Sequence, residues 1–390
     1  MSSLEARDLL SVGLAASDES ARAAQSVASV PMERNRIGAL DGLRGIAIGM
    51  ILVHHTVTSA LPASRLKDML NLLWSGVDLF LVLSGFLIGA ILIKNRSSPK
   101  LFSVFYSRRA LRILPLYYLT LALIFFKLPP HTGDWAPAWV YFSFVSNIWI
   151  AVTNHWQFLP LGITWSLAVE EQFYLVAPLV CYFTPRKYLG WAIGFGCVVP
   201  WIGRGLLFSL APKTWWFSGH LLTPFRADSF AFGMLLAWAL GAPEGQSLLA
   251  FLTRHWRALL GITGLGVAAF ILRDTHEASP DALLYGYTAL ASFWAMIILV
   301  LLIVRPPVLE GITNLSALRH LGRHAYFIYL WHGIVIIVLQ AHLAKWGIAT
   351  TSGNLLLLTV IEIGITWGLA ALSWKLFEGP LVKLGHRLAY

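Results

Sequence analysis

Residues 71–93 read NLLWSGVDLFLVLSGFLIGAILI, a run of 23 residues in which Asp78 is the only ionisable side chain. As a helix rising 1.5 Å per residue it is about 34 Å long, enough to cross the roughly 30 Å hydrocarbon layer of a bilayer. A helix apolar on every face over that length is buried in lipid or in a large core. Working outward, apolar runs recur at 39–61, 113–127, 136–153, 165–183, 188–209, 222–241, 257–273, 283–304, 324–343 and 353–375. With 71–93 they make eleven candidate spans. The third in chain order is extended by an amphipathic start from Phe102. The fourth is the weakest: it carries Asn147 and lies between Pro129-Pro130 and Pro160.

Composition agrees with that reading. Hydrophobic residues are 57% of the chain and charged residues 12%, about half the charge of a soluble domain. The net charge of +10 would suggest nucleic-acid binding in a soluble protein. Here the Lys and Arg residues flank apolar runs, which is the positive-inside pattern, and no nucleic-acid partner is expected. Cys181 and Cys197 lie apart in apolar segments. They form neither a disulfide framework nor a metal spacing, and they read as packing residues.

Charge parity sets the expected topology. With Arg34 and Arg36 inside, the 94–112 connection also falls inside with its six basic residues. Eleven crossings would then place Arg186/Lys187, Arg254/Arg257, Arg305/Arg319/Arg323 and Lys375/Lys383/Arg387 outside, against the rule. Ten crossings return all of them to the inside. The expected fold is therefore an all-α polytopic membrane protein. It is a bundle of about ten transmembrane helices, with 136–164 a re-entrant or interfacial segment lining a cavity. Residues 1–35 read as a polar, disordered cytoplasmic tail, 36–385 as the membrane domain and 386–390 as a short cytoplasmic C-terminus. No basic region leads directly into an apolar core at the start, so no cleaved signal peptide is expected.

Ionisable groups inside spans are costly and mark sites or paired networks. The first span carries Arg44, His54 and His55. Arg44 and His55 share a helix face about 16 Å apart along the axis, so they line one cavity at two depths or serve separately as helix-end and bundle contacts. Asp41 and Arg44 stand i, i+3 and can pair. Arg109 and Arg112 are also i, i+3. They suit bidentate phosphate contacts, or they are topogenic charge. Glu170 and Glu171 are adjacent carboxylates one to two turns into an apolar helix, pointing about 100° apart. With ten crossings His55, Asp78, Glu170, Glu171, Arg226 and Asp228 all fall in the outer half of the bundle, and His332 lies nearer the middle. Ser84 and Gly85 read as small packing residues.

Taken together, the motifs resemble those of the acyltransferase-3 family of integral membrane O-acyltransferases. They are Leu40-Asp-Gly-Leu-Arg44-Gly with His55 beyond it, Gly76-Val-Asp78-Leu-Phe with Leu83-Ser-Gly-Phe86, Arg108-Arg109-Ala-Leu-Arg112-Ile-Leu-Pro115, Trp165 through Tyr174, Arg226-Ala-Asp228, and Tyr326 through His332. They follow the family's order over about residues 36–385. The resemblance implies transfer of an acyl group, commonly acetyl, from cytoplasmic acyl-CoA to a hydroxyl of a carbohydrate or glycolipid. It implies Arg44 and His55 as functional residues and Arg109/Arg112 as a donor-binding pair. In the expected mechanism His55 is the general base, and Glu170 or Asp78 orients its ring. Glu171 belongs to the same catalytic group, and Arg226, Asp228 and His332 contact substrate. Acyl-CoA enters as a co-substrate, with no permanent cofactor and no metal. Many relatives carry an added esterase-like domain outside the membrane. This chain is expected to work without one, alone or by handing the acyl group to a separate extracytoplasmic protein. The expected location is the inner membrane, multi-pass and lipid-bound, with both termini cytoplasmic. The competing function is a proton-coupled transporter or flippase, which uses the same buried ionisable residues.

Overall fold

The computed structural model describes residues 34–58, 61–62, 64–127, 135–211, 215–347 and 354–390, with side chains from residue 38 onward. The expectation of a disordered 1–35 tail falls almost wholly outside these residues. The described chain is helical throughout. Helix α1 (Arg34–Val53) continues as a wide π-helical turn, His54–Thr58. Next come α2 (Arg65–Asn95) and α3 (Leu101–Lys127). The segment after them holds three short helices, α4 (Ala138–Phe142), α5 (Ser146–Thr153) and α6 (Leu159–Gly162). Then follow α7 (Thr164–Phe183), α8 (Arg186–Leu210), α9 (Trp215–Leu221), α10 (Thr223–Gly241) and α11 (Gln246–Arg273). The last part comprises α12 (Ala282–Val304), short α13 (Pro307–Thr313) and α14 (Ser316–Arg323), α15 (Ala325–Lys345) and α16 (Leu355–His386).

Among the described residues seven helices are long and apolar enough to cross a membrane: α2, α3, α8, α12, α15, α16 and Pro243–Arg273, which contains α11. Helices α1, α7 and α10 have 20, 20 and 19 residues. Together with the π-helical turn after α1, they carry most of the ionisable groups singled out above. The 136–153 run forms no helix of crossing length, since α4 and α5 have 5 and 8 residues against the ~20 that a bilayer requires. The third span and its amphipathic start are one 27-residue helix.

Two close crossings hold the site. Helix α10 packs along α2, and the contact is glycine on both sides. A Cβ on Gly85 would overlap the backbone carbonyl of Phe230, and one on Gly233 that of Val82. Helices α13 and α14 pack along α1 in the same way: Gly42 meets the carbonyl of Thr313, Gly45 that of Leu318, and Gly322 that of Asp41. Small residues let backbones touch where lipid supplies no hydrophobic drive for association. The two glycines flanking Arg44 in its motif thus seat α1 against α13 and α14 and aim Arg44 inward. Gly85 is a packing residue, as its size suggests.

Candidate active site

Two cavities adjoin within the bundle. The first is open, about 820 Å³ including its mouth. Arg44 of α1, Ser84 of α2, Arg109 and Arg112 of α3, and Glu170 and Glu171 of α7 line it. Arg44 also pairs with Asp41 at 3.4 Å. Arg109 lies over the Tyr174 ring, 5.7 Å from its centroid. Glu170 accepts short hydrogen bonds from the hydroxyls of Ser84 and Tyr174, so its carboxylate is fixed in the wall. Three guanidinium groups from two helices thus surround one space, a donor set suited to phosphate oxygens.

The second cavity, about 580 Å³, is lined by His54, His55, His220, Arg226 and Glu277 together with Trp74, Trp156 and Trp165. Val77 and Tyr329 belong to the walls of both cavities. Tyr329 is held at this partition by a 2.5 Å hydrogen bond between its hydroxyl and that of Ser166.

The imidazoles of the second cavity form an ordered chain. His332 Nδ1 lies 2.6 Å from the Tyr329 carbonyl and 3.2 Å from that of Ile328. Carbonyls only accept, so Nδ1 carries a proton. In the neutral ring, Nε2 is then the acceptor. It faces His55 Nδ1 at 3.0 Å, which donates to it and leaves the basic lone pair of His55 on Nε2. The His332 ring is buried and stacks on His55 with centroids 5.0 Å apart. A backbone carbonyl therefore sets the tautomer of two imidazoles in series.

The buried charges beside this chain are paired. Arg226 meets Asp78 at 2.6 Å and Arg204 meets Asp228 at 2.7 Å, and all four side chains are buried. Asp228 also accepts from the hydroxyl of Thr288 at 2.7 Å and the amide of Ser229 at 3.0 Å. Arg226 lies 4.2 Å from the Tyr287 ring centroid, a cation–π contact. Its Nε and Nη1 have no hydrogen-bond partner among the described residues.

The structure sorts the expected site residues differently from the charge parity. Glu170 and Glu171 line the arginine cavity rather than joining His55: α7 starts at Thr164, and Glu170 stands about 9 Å along its axis from that start. The two carboxylates expected to orient His55 are engaged by other groups, Glu170 by Ser84 and Tyr174 and Asp78 by Arg226, while His332 Nε2 faces His55 Nδ1. Asp228 lines neither cavity and belongs to the Arg204 pair. His332 stands behind His55 rather than in the cavity wall. Arg44, Arg109 and Arg112 converge, as their spacing allows. His54, turned about 100° from His55 in an ideal helix, still lines the same cavity, at the π-helical turn. Ser84, read as packing, is a hydrogen-bond donor to Glu170. Sequence reasoning missed Tyr329, Trp156, His220 and Glu277. Tyr329 stands three residues from His332 in the same motif, whereas Trp156 and Glu277 lie in loops without periodicity. Among the described residues no group of three His, Cys, Asp or Glu is placed to hold a metal ion. Both cysteines are buried free thiols.

Two adjoining cavities lined by ionisable side chains, inside a bundle with several long apolar helices, mark a multi-pass membrane protein. The chain belongs to the acyltransferase-3 family: the family's acyltransferase domain matches residues 37–374. It is similar to the peptidoglycan O-acetyltransferase OatA of Listeria monocytogenes, 29% identical over 90% of this chain and 57% of that protein. It is also similar to the O-acetyltransferase OatA of Staphylococcus aureus, 27% identical over 89% of this chain and 57% of that one. The chain thus spans under three fifths of the length of these relatives. No solved structure matches it.

Proposed function

We propose that this chain moves an acyl group, acetyl in the first instance, from cytoplasmic acyl-CoA to a hydroxyl of a carbohydrate or glycolipid on the far side of the membrane. The observation that carries this reading is the pair of cavities, one lined by three arginines and one by ordered imidazoles, sharing Val77 and Tyr329. Arg109 and Arg112 hold the phosphates of coenzyme A. Arg44 guides the narrow pantetheine arm toward the partition and steadies negative charge developing on the thioester oxygen. The acceptor hydroxyl lies against His55 Nε2. As its oxygen attacks the thioester carbonyl, His55 takes its proton. The carbon–sulfur bond breaks, and the imidazolium returns the proton to the departing thiolate, giving the ester and free thiol. His332 keeps the His55 lone pair aimed at the substrate. Arg226 donates to the acceptor sugar. The Listeria relative, named a peptidoglycan O-acetyltransferase, favours a carbohydrate polymer or a glycoconjugate as acceptor.

The proposed topology is ten crossings, the seven long apolar helices together with α1, α7 and α10, with 136–164 at the outer surface. Both termini and the arginine cavity then face the cytoplasm of a cell with this protein in its inner membrane. Reporter fusions after Gly241 and after Tyr390 should both read cytoplasmic, and an extracytoplasmic reading at either breaks this topology. The activity is tested with purified protein in lipid vesicles, labelled acetyl-CoA and a mixed glycan extract. Covalently labelled glycan is expected. Uptake of label or glycan without any covalent product would instead establish a transporter.

A further inference from the structure

The wall of the second cavity contains a carboxylate that the chemistry above leaves unused. Glu277 sits in the loop between α11 and α12. The loop is pinned by groups other than its own side chain. The Glu277 carbonyl accepts from the Tyr287 hydroxyl at 2.6 Å and from Trp216 Nε1 at 3.3 Å. The neighbouring Thr275 carbonyl accepts from Trp74 Nε1 at 2.9 Å, and the Thr275 hydroxyl donates to the Asp68 carbonyl at 2.7 Å. The loop needs no carboxylate to hold its shape, yet Glu277 Oε2 is buried with no hydrogen-bond partner among the described residues. Leaving such an atom unpaired costs stability, so a ligand that supplies its hydrogen bond is the natural completion. On the same cavity, Arg226 Nε and Nη1 and His54 Nδ1 are likewise buried and without partners among the described residues. Trp156 is 40% exposed and turns a flat ring into the space, backed by Trp216 at 6.2 Å between centroids.

Resting on the acyl-transfer reading, we propose that Glu277, Arg226 and Trp156 form a subsite for one neutral sugar ring of the acceptor, and that Glu277 makes this subsite reject acidic sugars. Trp156 offers its negative ring face to the C–H groups of a pyranose. Arg226 donates to sugar oxygens. Glu277 accepts from a hydroxyl beside the one delivered to His55. The charge balance sets the selectivity. Arg226 is neutralised by Asp78 and Arg204 by Asp228, while Glu277 makes no ion pair among the described residues. A uronate would bring a second unneutralised carboxylate into a cavity walled largely by aromatic and aliphatic side chains, whereas a neutral sugar completes the hydrogen bonds without adding charge.

The test uses the full chain in lipid nanodiscs without donor. The probes are diazirine-tagged neutral disaccharides, in hexose and N-acetylhexosamine forms. Photolabel should map to peptides containing Trp156 and Glu277. Untagged neutral disaccharide should displace it at concentrations about tenfold below those needed for a uronate-containing disaccharide. Glu277→Gln should lower labelling about tenfold and erase that preference. Trp156→Phe should keep more labelling than Trp156→Ala, which shows that the flat face and not the fold is being measured. Label elsewhere in the chain, equal displacement by the uronate, or unchanged labelling in Glu277→Gln would overturn the subsite. Acyl transfer is measured in parallel. Labelling in this cavity without transfer counts against the acyl-transfer reading alone, and transfer with labelling elsewhere counts against the subsite alone.

Discussion

The arginine cavity takes its ionisable side chains from helix interiors: α1 gives Arg44, α3 gives Arg109 and Arg112, and α7 gives Glu170 and Glu171. The imidazole cavity mixes helix residues with connections: His55 and Arg226 come from helical segments, but Trp156 and Glu277 come from loops. A helix fixes both the depth and the direction of a side chain. A loop fixes them only where its backbone is pinned, and it can be replaced without repacking the bundle. Under the proposed function the helix-built cavity takes the donor and the partly loop-built one takes the acceptor. Damage to one cavity should therefore spoil donor use, and damage to the other acceptor use.

The largest expected effect is at His55. Removing a general base costs about 10²–10⁴ in rate, so His55→Ala should insert normally and lose transfer by that factor, with acetyl-CoA affinity unchanged. Normal turnover would place the base elsewhere. His332→Ala should lower kcat less than His55→Ala while leaving the acceptor KM near normal, because it removes orientation and not the base. His54→Ala should instead raise the acceptor KM, since His54 lines the wall without belonging to the imidazole chain. Next in size, Arg226→Ala strands Asp78 as an unpaired buried charge, a loss of about 3–5 kcal/mol visible as a collapse in monodisperse yield. The double change Asp78→Leu with Arg226→Met should recover yield without recovering acceptor use.

The opposite cavity gives a smaller and cleaner effect. Arg109→Lys and Arg112→Lys keep the charge but lose the planar fork. Each should raise the KM for acetyl-CoA by about tenfold and leave the acceptor KM alone. Equal shifts in both constants would erase the distinction between the cavities. The smallest effect is a control on α1 itself: a Cβ added at Gly49 would meet nothing within 4 Å. Gly49→Ala should thus be neutral or stabilising by up to about 1 kcal/mol in a thermal melt, while Gly45→Ala on the same helix unfolds or inactivates the protein.

The residues that sequence reading places well share one property. Arg44, Arg109, Arg112 and the apolar faces around them obey a helical period, so spacing alone says which way they point. Depth is harder. Charge parity puts Glu170 and Glu171 in the same outer half of the bundle as His55, and nothing in their spacing reveals that they line the arginine cavity. Partner choice is harder still. Asp78 looks available to His55, but its companion Arg226 lies 148 positions away, and no local pattern encodes which of several buried cations it meets. The weak 136–153 segment is legible as weak from Asn147 and its flanking prolines. The aromatic residue it leads to, Trp156, is not, since a lone tryptophan near a membrane surface has many ordinary uses.

The glycine-on-backbone crossing of α2 and α10 also limits motion. Helices separated by side chains can slide, because rotamers absorb the shear. Here two main chains touch directly, so an axial step of one residue would drive Phe86 or Ser84 into the space that Gly85 leaves beside the Phe230 carbonyl. The crossing has one register and no neighbouring one. The partition carried by α2 at Val77 is then a stationary wall, and the travelling part of any reaction across it must be the substrate.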